Sequence, residues 1–146
     1  MTSEEQSAAL AEIAEQARAA AGADRCTIFQ FDRAKNEVFS RVAQGLAVGE
    51  EIRLPTSRGV IGFVARTGRT LRLRDVYNDP RFDPSTDQRT GYRTKGMLCV
   101  PAIDSRGNVL GAIQLINKVS GPFTPEDEET ATQFCAQIVP LLAPAT

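Results

Sequence analysis

Asn117-Lys118, Phe123 and Asp127-Glu128 are the residues whose types and spacing point most directly to an interaction. Lys118 at the end of an apolar run and Asp127 at the start of a helical one can meet across the short Gly121-Pro122 loop. The expected result is a clamp between strand and helix, with Phe123 folded back as an apolar plug. A second group is Gly59-Val60-Ile61-Gly62, directly after Pro55-Thr56-Ser57-Arg58. A Gly-rich helix start offers free backbone N–H groups and a partial positive charge, which suits a phosphate. The same two glycines also suit the close packing of a short helix. Gln114 interrupts the apolar run Gly111 to Ile116, and a polar side chain there needs a partner. It faces either a pocket or solvent.

Several chemistries are excluded by composition. The chain has no histidine, so it offers no imidazole for a haem iron, a zinc ion or a nucleophile pair. No metal and no required cofactor are expected. Its three cysteines, Cys26, Cys99 and Cys135, are widely spaced in apolar runs. That pattern fits reduced core thiols in a cytoplasmic protein better than a disulfide framework. Lys and Arg total 17 against 18 Asp and Glu, so no global charge draws the chain to nucleic acid or to an anionic membrane. Arg66, Arg69, Arg72, Arg74, Arg81, Arg89 and Arg93 concentrate basic charge mid-chain. They either steer an anion or form a solvated face balanced by Asp75, Asp79 and Asp87. The apolar stretches are too short to span a bilayer, and the first residues lack the basic start of a signal peptide.

These groups need elements to hold them. At 146 residues the chain is expected to be one domain. Residues 1–22 read as an N-terminal helix, its apolar stripe of Leu10, Ile13 and Ala17 thin enough to require a partner helix. Gly22 is its expected C-cap. Cys26 to Phe31 and Val38 to Ala43 read as a hairpin, and Ser57 to Arg66 as a short helix starting at Ser57 or Gly59. A short strand, Leu71 to Leu73, precedes a long polar connection over 76–96, where Pro84 to Gln88 can form one turn. Met97 to Ile103 and Val109 to Ile116 are strongly apolar strands around an Asp104-to-Asn108 turn. The final helix, within 124–143, starts at Pro125 with Thr124 as N-cap and carboxylates in its first turn. The expected class is α+β, an antiparallel sheet of about six strands with helices packed on it.

Taken with Glu51 to Pro55, Thr67-Gly68, Asp75 to Phe82, Thr90 to Thr94 and Leu98 to Pro101, these strings resemble the GAF domains that bind cyclic nucleotides. Such domains occur in phosphodiesterases and bacterial adenylyl cyclases. The resemblance covers 24–140. It implies that a cyclic phosphate rests on the amides of Val60 and Ile61. It also implies that Phe82, Asp83, Asp87, Thr90 and Thr94 close over the ligand as a lid, and that Thr27 and Gln114 face the base. Asp83 takes a place that is aromatic in some members. Ala43 and Gln44 stand where guanine-preferring members carry an aromatic residue and Asp, and this departure speaks against guanine. A Gln amide can pair with adenine N6 and N7, so cAMP is expected over cGMP. Asn117, Lys118, Phe123, Asp127 and Glu128 are expected to be structural. The terminal helices are expected to form a homodimer and to pass the signal to an output domain in a parent protein. One alternative is a dimerisation module without a ligand. A more remote one is an enzyme resembling free-methionine-sulfoxide reductases, which carry reactive cysteines in the lid; here Asn78 to Gly96 contains none.

Overall fold

Alternation along three central strands decides the architecture. On Ala23–Asp32 (β1), Cys26 and Ile28 point to one side of the sheet, Thr27 and Phe29 to the other. Met97–Ile103 (β5) and Val109–Lys118 (β6) divide in the same way: Leu98, Val100, Ile113 and Leu115 face one core, Met97, Cys99 and Ala112 a second. A sheet that is apolar on both faces must be covered on both.

The computed structural model describes residues 1–47 and 49–142. Within them the remaining elements are α1 (Ser3–Ala21), β2 (Glu37–Ala43), β3 (Arg53–Pro55), α2 (Gly59–Thr67), β4 (Leu71–Leu73), a 3-10 turn (Val76–Asn78), α3 (Ser85–Thr90) and α4 (Pro125–Leu142). The sheet has six strands in the order β3-β2-β1-β6-β5-β4, with every neighbouring pair antiparallel. The expected α+β class and strand number are those observed. Residues 143–146, the tail of the expected domain and its last helix, lie outside the described residues.

α1 and α4 cover one face together. Ala14, Ala17 and Ala21 are buried with Leu10, and these small side chains let α1 lie close on α4 and β1. The thin stripe therefore finds its partner helix inside the same chain. Leu98, Ile113 and Leu115 are fully buried beneath them, against Ile138 of α4, each contributing roughly 1.5–3 kcal/mol of transfer free energy. α1 is opened by a capping box: Thr2 Oγ1 accepts from Glu5 N, and Glu5 Oε1 accepts from Thr2 N, each at 3.0 Å. It ends on Gly22 in the left-handed conformation, as expected. Thr124 and Asp127 cap α4 in the same reciprocal way, at 3.1 and 2.8 Å.

Three details differ from the sequence reading. β3 was not expected; it exists because Glu37 to Phe39 offer an open edge to which Arg53 to Pro55 pair. β1 begins at Ala23 and β6 runs to Lys118, because the two pair along that whole length. α2 begins at Gly59, one of its two expected starts, and extends one residue past the expected end, to Thr67.

Candidate functional site

The second face of the sheet is not sealed. Between it, α2 and the α3 segment lies a cavity of about 690 Å³, its open mouth included. All ten residues expected at a ligand, Thr27, Gln44, Val60, Ile61, Phe82, Asp83, Asp87, Thr90, Thr94 and Gln114, line it.

Its floor is built by register. Thr27 on β1 stands directly opposite Gln114 on β6, and both are buried. The Gln114 side chain thus faces the cavity and not solvent. Phe29, Met97 and Ile116 add apolar surface beside them.

One wall is the start of α2. Its N-cap, Arg58, makes no side-chain capping bond, and the first turn holds no acid. Gly59 takes φ +78, where a side chain would be strained. Gly62 has a different reason: a Cβ there would stand 2.5 Å from the Thr56 carbonyl oxygen. Gly62 is therefore a packing residue, and it does not line the cavity. The close-packing reading of the glycine pair therefore holds for Gly62, while Gly59 lines the cavity.

The roof is α3 and its flanks. Asp87 anchors it: Oδ1 accepts from Thr94 Oγ1 at 2.8 Å, while Oδ2 accepts from Thr94 N at 2.8 Å and from Tyr77 OH at 2.6 Å. That bond to Asp87 raises the Tyr77 phenol above its usual range, and burial adds to the rise. The Asp87 carboxylate and the Thr94 hydroxyl therefore tie α3 to the segment that leads into β5; the resemblance implied ligand contacts for both. Thr90 Oγ1 donates to Thr86 O at 2.8 Å. Phe82 packs against Tyr77 with ring centroids 5.0 Å apart.

Asp83 stands where the roof meets α2. Its Oδ1 accepts from Ser85 N at 2.9 Å, and Arg58 Nη2 lies 2.7 Å from Oδ2. Burial pushes the Asp83 carboxyl up, but the Ser85 and Arg58 contacts outweigh it and hold it below the usual carboxylate range. At the other end of the cavity the Gln44 amide is engaged: Oε1 accepts from Cys26 N at 2.9 Å and Nε2 donates to Glu15 at 3.1 Å.

Among the lining residues that the sequence reading did not expect at a ligand are two polar ones at the cavity's edge, Arg25 and Tyr92. The Arg25 guanidinium lies 3.7 Å above the Tyr92 ring centroid, at the cavity's edge. The signal was available, since Arg25 shares the odd-numbered face of β1 with Thr27 and Phe29. Tyr92 OH donates to Asp24 at 2.5 Å and accepts from Asn117 Nδ2 at 2.9 Å. Burial, then the Asp24 bond, pushes its phenol up to about 12. None of the seven mid-chain arginines lines the cavity. Arg72, Arg81 and Arg89 pair with Glu128, Asp79 and Glu50.

The five-residue signature lies outside the cavity. Lys118 and Asp127 form the expected clamp at 2.8 Å, and Phe123 is buried. Glu128 accepts from Arg72 Nε at 2.8 Å. Asn117 does more than end a strand. Its Oδ1 accepts from Lys95 N and Gly96 N, and its Nδ2 donates to Arg93 O and Tyr92 OH. One side chain thus holds the return of the roof into β5. All three thiols are free and buried. Burial pushes Cys26 and Cys135 up to about 12 and raises Cys99 as well, the opposite of a reactive thiolate.

The class follows from the sheet order, the two-sided covering and the roofed cavity. The family model "GAF domain" matches residues 6–139, and the chain belongs to this family of regulatory modules. It is 36% identical over 124 residues to a probable 3',5'-cyclic phosphodiesterase, pde-5, of Caenorhabditis elegans, covering 77% of this chain and 17% of that protein. It is 38% identical over 123 residues to a dual 3',5'-cyclic-AMP and -GMP phosphodiesterase 11A of Takifugu rubripes, covering 77% and 14%. The chain thus spans less than a fifth of these relatives. Among solved structures, the GAF domain of an Acinetobacter phosphoenolpyruvate-protein phosphotransferase superposes with TM-score 0.79 at 23% identity, covering 94% of this chain and 81% of that one. A type II free methionine-R-sulfoxide reductase from Thermoplasma acidophilum does so with TM-score 0.80 at 13% identity, covering 96% and 94%. At such identities these two speak for the fold alone. No helix among the described residues is long and apolar enough to cross a membrane.

Proposed function

We propose that this GAF domain is a sensor whose cavity binds a cyclic nucleotide, cAMP in preference to cGMP. The observation that carries the reading is the placement of Thr27 and Gln114 side by side on the cavity floor, opposite the uncapped start of α2. The phosphate would take the first amides of α2, and the Gln114 amide would meet the edge of adenine. Thr27 would add a hydroxyl beside it. Two relatives named as cyclic-nucleotide phosphodiesterases support the ligand class.

Binding would order the roof, and Asn117 offers a route outward. It holds Arg93 to Gly96 on one side and adjoins the Lys118–Asp127 clamp to α4 on the other. A ligand shifts the helices only by its difference in affinity between two states. A homodimer through α1 and α4, in a parent protein with an output domain, would receive that shift.

One observation favours a second reading, a dimerisation module without a ligand. Gln44 is already engaged with Cys26 and Glu15, and Arg25 lies over Tyr92 within the site. Calorimetry decides between the two. Wild-type protein should bind cAMP more tightly than cGMP, and Gln114→Leu should reduce cAMP affinity by roughly tenfold or more. No heat with either nucleotide, from folded protein free of carried-over ligand, would leave the dimerisation module standing.

A further inference from the structure

The charge on the cavity wall is unusual for a site meant for an anion. Among the described residues its lining holds one cation, Arg25, and two carboxylates, Asp83 and Asp87. Asp87 is satisfied by three hydrogen bonds. Asp83 Oδ2 is the one buried side-chain oxygen among the described residues without a hydrogen bond. Arg58 Nη2 is close enough for an ion pair at 2.7 Å, but it lacks hydrogen-bond alignment, and its side chain is 53% exposed. Water and salt screen that partner, whereas the oxygen itself is shielded. Asp83 also lies against the first residue of α2: its Cβ is 3.6 Å from where a side chain on Gly59 would begin. A phosphate seated on the α2 amides would therefore have Asp83 as its immediate neighbour.

We propose that Asp83 makes this pocket charge-selective, admitting a phosphodiester with one negative charge and turning away phosphomonoesters. The inference rests on the cyclic-nucleotide reading of the same site. A monoester carries about −1.5 to −2 at neutral pH, and a cyclic diester carries a single charge. Repulsion from a fixed carboxylate grows in proportion to the ligand's charge. The α2 amides offset a single negative charge at that place; Arg58 is already paired with Asp83, and the one lining cation, Arg25, lies over Tyr92 at the cavity's edge, so a second charge meets Asp83. An aromatic residue at position 83 would lack this discrimination. Asp83 thus separates the signalling molecule from the more highly charged product of its hydrolysis.

The test is a ligand series of rising charge: adenosine, cAMP and AMP, each measured on wild type and Asp83→Asn by calorimetry or by displacement of bound cAMP. Asparagine keeps the acceptor for Ser85 N and the size of the side chain. The expected result is an unchanged adenosine affinity, a modest gain for cAMP and a larger one for AMP. The cAMP-to-AMP affinity ratio should fall roughly tenfold. Arg58→Gln should act in the opposite direction, widening that ratio because it leaves the Asp83 carboxylate without its ion-pair partner, and it serves if Asp83→Asn fails to fold. A ratio that stays within about twofold in the folded Asp83→Asn protein, with cAMP still bound, overturns the charge filter and leaves the sensor reading intact. An equal gain for adenosine and AMP also overturns it, because that gain comes from shape. Failure of folded wild type and variant to bind any cyclic nucleotide removes the sensor reading, and this inference with it.

Discussion

Lys118 Nζ lies 2.8 Å from Asp127 Oδ2, and the same ammonium donates to the carbonyl of Ala21 at 2.9 Å. One charge pair therefore joins the end of α1, the end of β6 and the first turn of α4. The side chains are only 18% and 9% exposed, so the pair is a partly buried one and not a surface contact. Removing one partner leaves the other charge without compensation.

Lys118→Met should accordingly destabilise the domain by about 3–5 kcal/mol in chemical denaturation. A loss below about 1 kcal/mol would place the pair among solvent-screened ones. The pH dependence gives a second readout. Burial raises the Asp127 carboxyl, but the bond from Lys118, with help from Thr124, outweighs it and holds the group below its usual value of 3.8. A carboxyl depressed in the folded state stabilises above its unfolded value, and that stabilisation is lost as the pH falls through the folded one. Wild type should therefore lose stability from about pH 5 downward, and Lys118→Met should show a flatter acid limb. Parallel acid limbs in the two proteins would contradict this.

The roof depends on one carboxylate. Thr94→Val removes the hydroxyl bonded to Asp87 Oδ1 but keeps the backbone bond from Thr94 N to Oδ2. The expected cost is about 1–3 kcal/mol, because a buried acceptor is left short of a donor. The opening should be local. Amide hydrogen exchange should rise over Ser85 to Thr94 while β1 and β6 stay protected. Uniform acceleration across the sheet would mean that Asp87 supports the whole fold.

Gly111 is irreplaceable for a reason invisible in its own conformation. It pairs with Gln30 on β1, and an added Cβ would run into the Phe29 carbonyl oxygen and stand 2.7 Å from Leu142 Cδ1. Because backbone is one of the obstacles, Gly111→Ala should cost more than about 2 kcal/mol, despite the better strand propensity of other residues. Gly107 in the adjoining turn has nothing within 4 Å of such a Cβ, but its φ of +84 makes its strain purely conformational. Comparing melting temperatures of the two alanine variants separates collision from backbone strain; an unchanged Gly111→Ala protein would remove the close-packing account.

Much of this was legible from residue order. The near-continuous apolar runs of β5 and β6 mark strands covered on both faces, and Thr124-Pro125 followed by carboxylates marks the start of α4. The Lys118–Asp127 contact was predictable because only a short loop separates the two residues. What escaped depends on distant segments. β3 forms only because β2 presents an edge to it. The part played by Asn117 is set by a chain segment more than twenty residues away, and the stacking of Arg25 on Tyr92 joins residues far apart in the chain.

The sequence by itself determined the fold class and most of the elements, because apolar periodicity, caps and turn residues act locally; the residues expected around the cavity came from the resemblance to GAF domains. The tertiary structure decided which polar atoms remain available there. It closed Asp87 and Thr94 on each other, engaged Gln44 with Cys26 and Glu15, and left one oxygen of Asp83 buried without a hydrogen bond. A hydrogen bond is made or missed over fractions of an ångström, and those distances are set only when sheet, roof and helices are packed together.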